Sequence, residues 1–169
     1  MYCAGTLTIT AGALLLSFSA LAAEMNRKDA EYLHNTAQGI MAEVKMGELA
    51  QKQAADERVK QFGKRMVDDH GKDLQNLRQL ASRKQLTLPD TPNDKQRQEI
   101  DKLTRLSGAG FDREYVEYEA KDHKDDVEEN GQTMHKAVDP DVRHFANAEY
   151  RTVLAHQKQI DTLRTQLGK

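Results

Sequence analysis

One cysteine, three prolines and no tryptophan are found among 169 residues, and each scarcity excludes something. Cys3 precedes the first apolar stretch rather than closing it, so it is misplaced for the lipidated cysteine of a lipoprotein signal. Without the leader the chain has neither a disulfide nor a thiolate metal site, even in an oxidising compartment. Any metal ligand is then His, Asp, Glu, Tyr or Met. Alternation of β-branched residues is almost absent, which argues against strands and against a membrane β-barrel. Charge of one sign is lacking too: 25 Lys and Arg stand against 27 Asp and Glu with no basic block, so the footprint of a nucleic-acid binder is missing.

Only one long hydrophobic run exists, in residues 1–23. Leu14, Leu15, Leu16 and Phe18 form its apolar centre, and Ala20-Leu21-Ala22 offers a small-residue cleavage site. It reads as a secretory signal peptide, short and Ser/Ala-rich for a membrane span, with an uncleaved anchor as the alternative. Cleavage leaves residues 24–169 as one domain with no stable membrane insertion, destined for the periplasm or secretion.

What fills the rest is Ala, Glu, Lys, Gln and Leu, the helix formers. The pattern predicts an all-α chain with long helices near 28–54, 57–84, 111–136 and 140–167 and a short one near 93–106. Asp56, Thr91-Pro92 and Asp139-Pro140 are the expected helix starts, and Ser107-Gly108-Ala109-Gly110 is the strongest breaker. Two tight connections and one long one imply an antiparallel four-helix bundle, with the short helix in the connection between the second and third long helices. A brief echo joins the two hairpins: Asp56 to Phe62 resembles Asp139 to Phe145.

At about 100° per residue, the second long helix has a core stripe of Val59, Phe62, Met66, Leu74 and Leu77, with His70 in its middle. His156 lies on the stripe of Val142, Phe145, Val153, Ile160, Leu163 and Leu167; His123 lies between Val116 and Val127, on the side of Met134. In the first helix Leu33, Ala37, Ile40, Val44 and Gly47 form the stripe, with Glu43 on its flank. His34, His135 and His144 fall off the stripes and are expected to be solvated. Four helices each bring one inward polar group near mid-length, and antiparallel packing puts the four at one level.

Three neutral imidazoles and a carboxylate suit a divalent zinc, iron, copper or manganese ion. The competing reading is a metal-free hydrogen-bonded cluster, in which a protonated histidine balances the buried carboxylate. Asp69 and Asp122 each precede a core histidine and are read as surface acids or as groups supporting the ligands. A dinuclear carboxylate centre would require Glu-x-x-His pairs, yet Val67, Ala120 and Val153 occupy the relevant positions; Glu119 and Glu149 are the carboxylates left for a second ion. Tyr115, Tyr118 and Tyr150 read as core packing or hydrogen-bond donors to the cluster, and Met41, Met66 and Met134 as core fillers.

Ala37 to Val44, Met66-Val67-Asp68-Asp69-His70, Leu86-Thr87-Leu88-Pro89, Leu106 to Tyr115 and Lys121-Asp122-His123 together carry a family resemblance. Over residues 28–167 the chain resembles the exported bacterial ferritin-like domain family of unknown function, whose members are often labelled outer-membrane or periplasmic proteins. The resemblance implies a ferritin-like bundle and places Glu43, His70 and His123 inside matching motifs; His156 rests on the helical periodicity. It supplies no activity, and the missing Glu-x-x-His pairs speak against ferritin's iron chemistry. Two functions follow: a metal-binding bundle of the cell envelope serving in metal or oxidant stress, or a non-catalytic envelope-stress or host-interaction protein with a structural core cluster. A redox enzyme with a dinuclear centre is a third.

Overall fold

The computed structural model describes residues 25–168, and the proposed signal segment lies outside the described residues. Five helices follow one another: α1 (Arg27–Gln53), α2 (Glu57–Arg83), α3 (Asp94–Thr104), α4 (Gly108–Lys136) and α5 (Pro140–Leu167). The four long ones pack as a bundle, as the helix-forming composition leads one to expect.

Local chemistry sets the ends. The Asn26, Asp56 and Asp139 side chains accept from the main-chain N–H two residues on, and Pro140 occupies the first turn of α5 where its missing N–H costs nothing. α3 starts one residue past the expected Thr91-Pro92 signal, on a capping box between Asn93 and Gln96. The start of α4 also differs from expectation. Ser107 is its N-cap and Gly108 its first residue, at φ +63, so the glycine pair belongs to the first turn rather than ending the preceding loop.

Partners across the helices fix their directions. Arg58 pairs with Gln166 and Arg65 with Gln159, so α2 and α5 run antiparallel. Tyr32 donates to Asn130, and the start of α1 meets the end of α4, so these two are antiparallel as well. α2 and α4 are therefore parallel, and the chain between them has to travel the length of the bundle. α3 lies in that crossover against α1 and α4, with Leu103 as its buried anchor.

Two buried carboxylates tie the tight turns. Asp112, near the start of α4, accepts from the Ala55 and Asp56 N–H groups at 3.0 and 2.9 Å; Asp29, in the first turn of α1, accepts from Val138 and Asp139 at 3.2 and 2.7 Å. Each satisfies main-chain donors that the helix start leaves open. The two clamps are related by one offset. Asp29/Asp112, Tyr32/Tyr115, Ala37/Ala120, Ala54/Ala137, Asp56/Asp139, Val59/Val142 and Phe62/Phe145 are all 83 positions apart, so the brief echo extends through both hairpins.

The apolar core is split in two. One cluster, at the end where α1 meets α2, contains Met46, Val59, Phe62, Met66, Phe111, Tyr115 and Ile160. The other contains Tyr32, Leu33, Ile40, Leu77, Leu80, Val142 and Phe145. Buried polar side chains lie between them.

Candidate metal centre

The middle layer is built from mid-helix positions of the four long helices, which is why its side chains meet. His70 (α2), His123 (α4) and His156 (α5) are buried, with ring centroids 5.0 to 5.9 Å apart. One nitrogen from each lies within 4.8 Å of the others. Glu43 (α1) is 2% exposed; its Oε1 is 3.5 Å from His70 Nε2 and 3.7 Å from His123 Nε2. Glu43, Glu119 and His123 form a second trio, so the expected residues converge as two overlapping trios sharing His123.

The helical periodicity needs one correction. Glu43 is in the centre of the buried face of α1 and Val44, placed on the stripe by the sequence pattern, is only half-buried. Phe62 forms an apolar floor, its ring 6.1 and 6.3 Å from those of His123 and His156. Among the other histidines, His135 and His144 are exposed as expected, whereas His34 is half-buried and bonded to the Thr87 carbonyl at 2.9 Å.

Hydrogen bonds assign the imidazole tautomers. His123 Nδ1 donates to the Glu119 carbonyl at 3.0 Å, because a carbonyl can only accept, and this leaves Nε2 as the ring's free nitrogen. His156 Nε2 donates to Asp69 at 3.1 Å, leaving Nδ1 inward. Asp69 thus supports a ligand from outside, the arrangement that orients metal-binding histidines. The inward atoms have no hydrogen-bond partner in the protein: both nitrogens of His70, Nε2 of His123, Nδ1 of His156, Oε1 of Glu43 and both oxygens of Glu119. Tyr115 Oη is likewise buried without a partner, so it packs against Phe62 rather than donating to the cluster.

Several acids join that layer beyond those the apolar pattern singled out. Glu119 and Glu149 are buried, and Asp73, Asp122 and Asp126 are partly so. Glu119, Asp122, His123, Asp126 and Asn130 fall at spacings of three or four along one face of α4, and that inverted amphipathic stripe was the available signal. Asp73 and Glu149 group with His70, and Asp122 and Asp126 with Glu43. 

Low polarity and mutual repulsion set the protonation. Burial, then Asp126 and the neighbouring acids, push Glu43 well above the ordinary carboxylate range. Burial and Asp122 bring Asp126 up to about 8; burial and Asp73 bring Glu149 up to about 9. Burial holds His70 well below its usual value, with His123 and His156 adding to the effect, and brings His156 down to about 4 against the pull of Asp69. In His123 burial acts downward, but the Glu119 carboxylate, 3.4 Å from Nδ1, and the nearby acids prevail and raise it. Two of the three imidazoles are therefore neutral near pH 7, the state in which imidazole binds metal.

Fold and layer together define a helical bundle whose core carries ligand-type side chains. The chain belongs to the family described as Domain of unknown function (DUF4142), which matches residues 17–163. No curated protein matches it. Three solved structures are similar in fold. A DUF305 protein from Streptomyces coelicolor, described as secreted, has TM-score 0.70 at 14% identity and covers 83% of this chain and 92% of its own. CopM in the Cu(II)-bound form has TM-score 0.69 at 14% identity, covering 82% and 96%. A DUF305 fragment from Deinococcus radiodurans has TM-score 0.70 at 12% identity, covering 85% and 97%. Among the described residues, no helix is long and apolar enough to cross a membrane.

Proposed function

We propose that this protein is an exported, ferritin-like bundle that binds a divalent transition metal in its core through His70, His123, His156 and Glu43, with Glu119 as an additional carboxylate. The observation that carries this reading is the set of buried nitrogen and carboxylate atoms that have no hydrogen-bond partner and group within 4.8 Å of one another, while outer bonds from Glu119 and Asp69 orient two of the rings. A dry cluster of this kind leaves these buried polar atoms unsatisfied, and each unsatisfied buried group costs about 1–3 kcal/mol. A cation satisfies several of them at once. Mixed nitrogen and oxygen donors suit zinc, iron, copper or manganese, and the Cu(II)-bound form of CopM supports copper as a candidate.

The ferritin-like arrangement is supported by the lengthwise crossover between α2 and α4. Export is supported by the signal-like residues 1–23 and by the secreted description of a structural neighbour. Within the site, the chain's own residues bind and orient the ion, and Phe62 and the two apolar clusters shield it from bulk water.

Elemental analysis of protein purified from its native compartment, beside a His70→Ala/His123→Ala variant, tests the reading. Near-stoichiometric metal in the native protein and none in the variant is expected. Equal, substoichiometric metal in both overturns it and leaves the metal-free structural cluster, for which chelator has no effect on melting temperature.

A further inference from the structure

Glu43 does not face the imidazoles alone. It also lines a cavity of about 140 Å³ that reaches from the core to the surface between α1, α3 and α4, with His70 of α2 and Glu149 and Val153 of α5 on its wall. Asp122 and Asp126, one turn apart on α4, line the same cavity, and each offers an oxygen within 4.8 Å of the others and of Glu43. No lysine or arginine is among the lining residues. Exposed acidic groups commonly cluster without meaning, but Glu43 is 2% exposed and its Oε1 has no hydrogen-bond partner. A buried carboxylate within 4.8 Å of two further carboxylates is repelled by them unless a cation or proton intervenes.

We propose that Glu43, Asp122 and Asp126 form a second cation site, made of oxygen ligands, at the inner end of this cavity. It goes beyond the imidazole site, shares Glu43 with it, and stands or falls separately. Its chemistry differs from that of the imidazole site. Three carboxylates with no imidazole favour a harder divalent ion such as manganese over copper or zinc. The space suits an ion that keeps part of its hydration shell, because one water needs only about 10–15 Å³. Mouth-side amides of Asn93 and Gln96 offer neutral polar groups along the way. Two sites of unlike preference then sit one behind the other, the oxygen site toward solvent and the imidazole site deeper.

Manganese(II) added to the metal-stripped protein, with and without prior zinc loading, tests this by the fall in the free aqua-ion electron paramagnetic resonance signal. Uptake of one manganese per chain is expected in the zinc-loaded preparation, where zinc already fills the imidazole centre that would otherwise take manganese as well. It is expected to vanish in Asp122→Asn/Asp126→Asn, whose zinc content stays that of the unaltered protein, and to persist in His70→Ala/His123→Ala, which has lost zinc. Helical circular dichroism and melting temperature confirm that the near-isosteric Asn variants fold. No manganese uptake by the unaltered protein, or equal uptake by the Asn variant, overturns the oxygen site whatever zinc does. Failure to retain zinc overturns the imidazole site alone, since manganese uptake is also read in the His70→Ala/His123→Ala variant, which lacks that site.

Discussion

In the first hairpin Asp56, Val59 and Phe62 open α2 and Ala54 closes the turn; 83 residues later Asp139, Val142, Phe145 and Ala137 do the same for α5. The clamps Asp29 and Asp112 obey the same offset. At the middle layer the correspondence fails: His70 matches Val153, His123 matches Ile40, His156 matches Asp73, and Glu149 matches Met66. Of the proposed ligands, only Glu43 and Asp126 have a counterpart of their own chemical type, each being the other's. The repeated positions cap helices and fill the apolar clusters, which is what either hairpin needs in order to fold. The unrepeated ones bury polar groups, which costs stability. A departure from the repeat that raises the cost of folding points to a function for the layer, and the counterpart residues say what each position would hold if packing alone mattered.

Breaking the shared scaffold has the largest expected effect. Asp112→Ala removes two bonds to main-chain donors and should cost about 3 kcal/mol, with Asp29→Ala costing a similar amount in the other hairpin. Urea unfolding checks both; a loss at one position only would break the equivalence of the halves.

The hairpins also differ in how closely their helices approach. A Cβ on Gly63 would lie 2.6 Å from Ala50 Cβ and 2.8 Å from the Gly47 carbonyl oxygen, so α1 and α2 need both glycines. Ala146 and Asn130 occupy the matching positions of the second hairpin. Gly63→Ala should therefore destabilise by about 1–3 kcal/mol despite its better helix propensity. An unchanged melting temperature would show that the first hairpin relaxes as freely as the second.

Copying the repeat into the layer separates function from fold. His70→Val, which installs the residue found at position 153, should abolish zinc binding at the imidazole centre while raising the stability of the metal-free protein by about 1 kcal/mol. Lower stability with no change in metal would instead mark the layer as a structural network.

The buried acids of the layer also set a pH dependence. Asp126 and Glu149, at about 8 and about 9 in the folded chain, hold protons that the unfolded chain has already released above its ordinary carboxylate range. Their contribution is complete below the unfolded values and is lost as pH rises through the folded ones. The lowered values of His70 and His156 oppose this only below about 6.5, where an unfolded imidazole still takes a proton. Metal-free protein should consequently lose melting temperature from about pH 6.5 to 9, and the loss should shrink on metal loading, because a cation stabilises the ionised carboxylates. A flat profile in the metal-free protein would contradict the buried acids.

The smallest effect lies just past α2. Gln85 adopts φ +55, a left-handed conformation, and its counterpart is Gly168. Gln85→Gly should stabilise by about 0.5 kcal/mol, read as a small rise in the urea midpoint.

Much of this was legible in the sequence. Capping residues and turn signals located α1, α2 and α5 to within a residue at most ends, because Asp56, Asp139 and Pro140 act locally. The inward histidines followed from helical spacing. The start of α4 did not, since a Gly-x-Gly pair reads as a breaker while Gly108 here opens the helix at positive φ. Asp73 and Asp126 escaped, and Asp122 was read only as a surface or supporting acid, because a search for apolar stripes sorts acids to the outside, and a buried acid is betrayed only by the acids and histidines that share its face. The clamps of Asp29 and Asp112 join residues 109 or more and 56 or more positions apart, and no local pattern reports such a contact.

The most direct test is a crystal of zinc-loaded protein measured with anomalous scattering at the zinc edge. A peak enclosed by His70, His123, His156 and Glu43, with imidazole nitrogens about 2.0–2.1 Å away, is expected. Density confined to the peripheral histidines His34, His135 and His144, with none in the middle layer, would contradict the proposed centre.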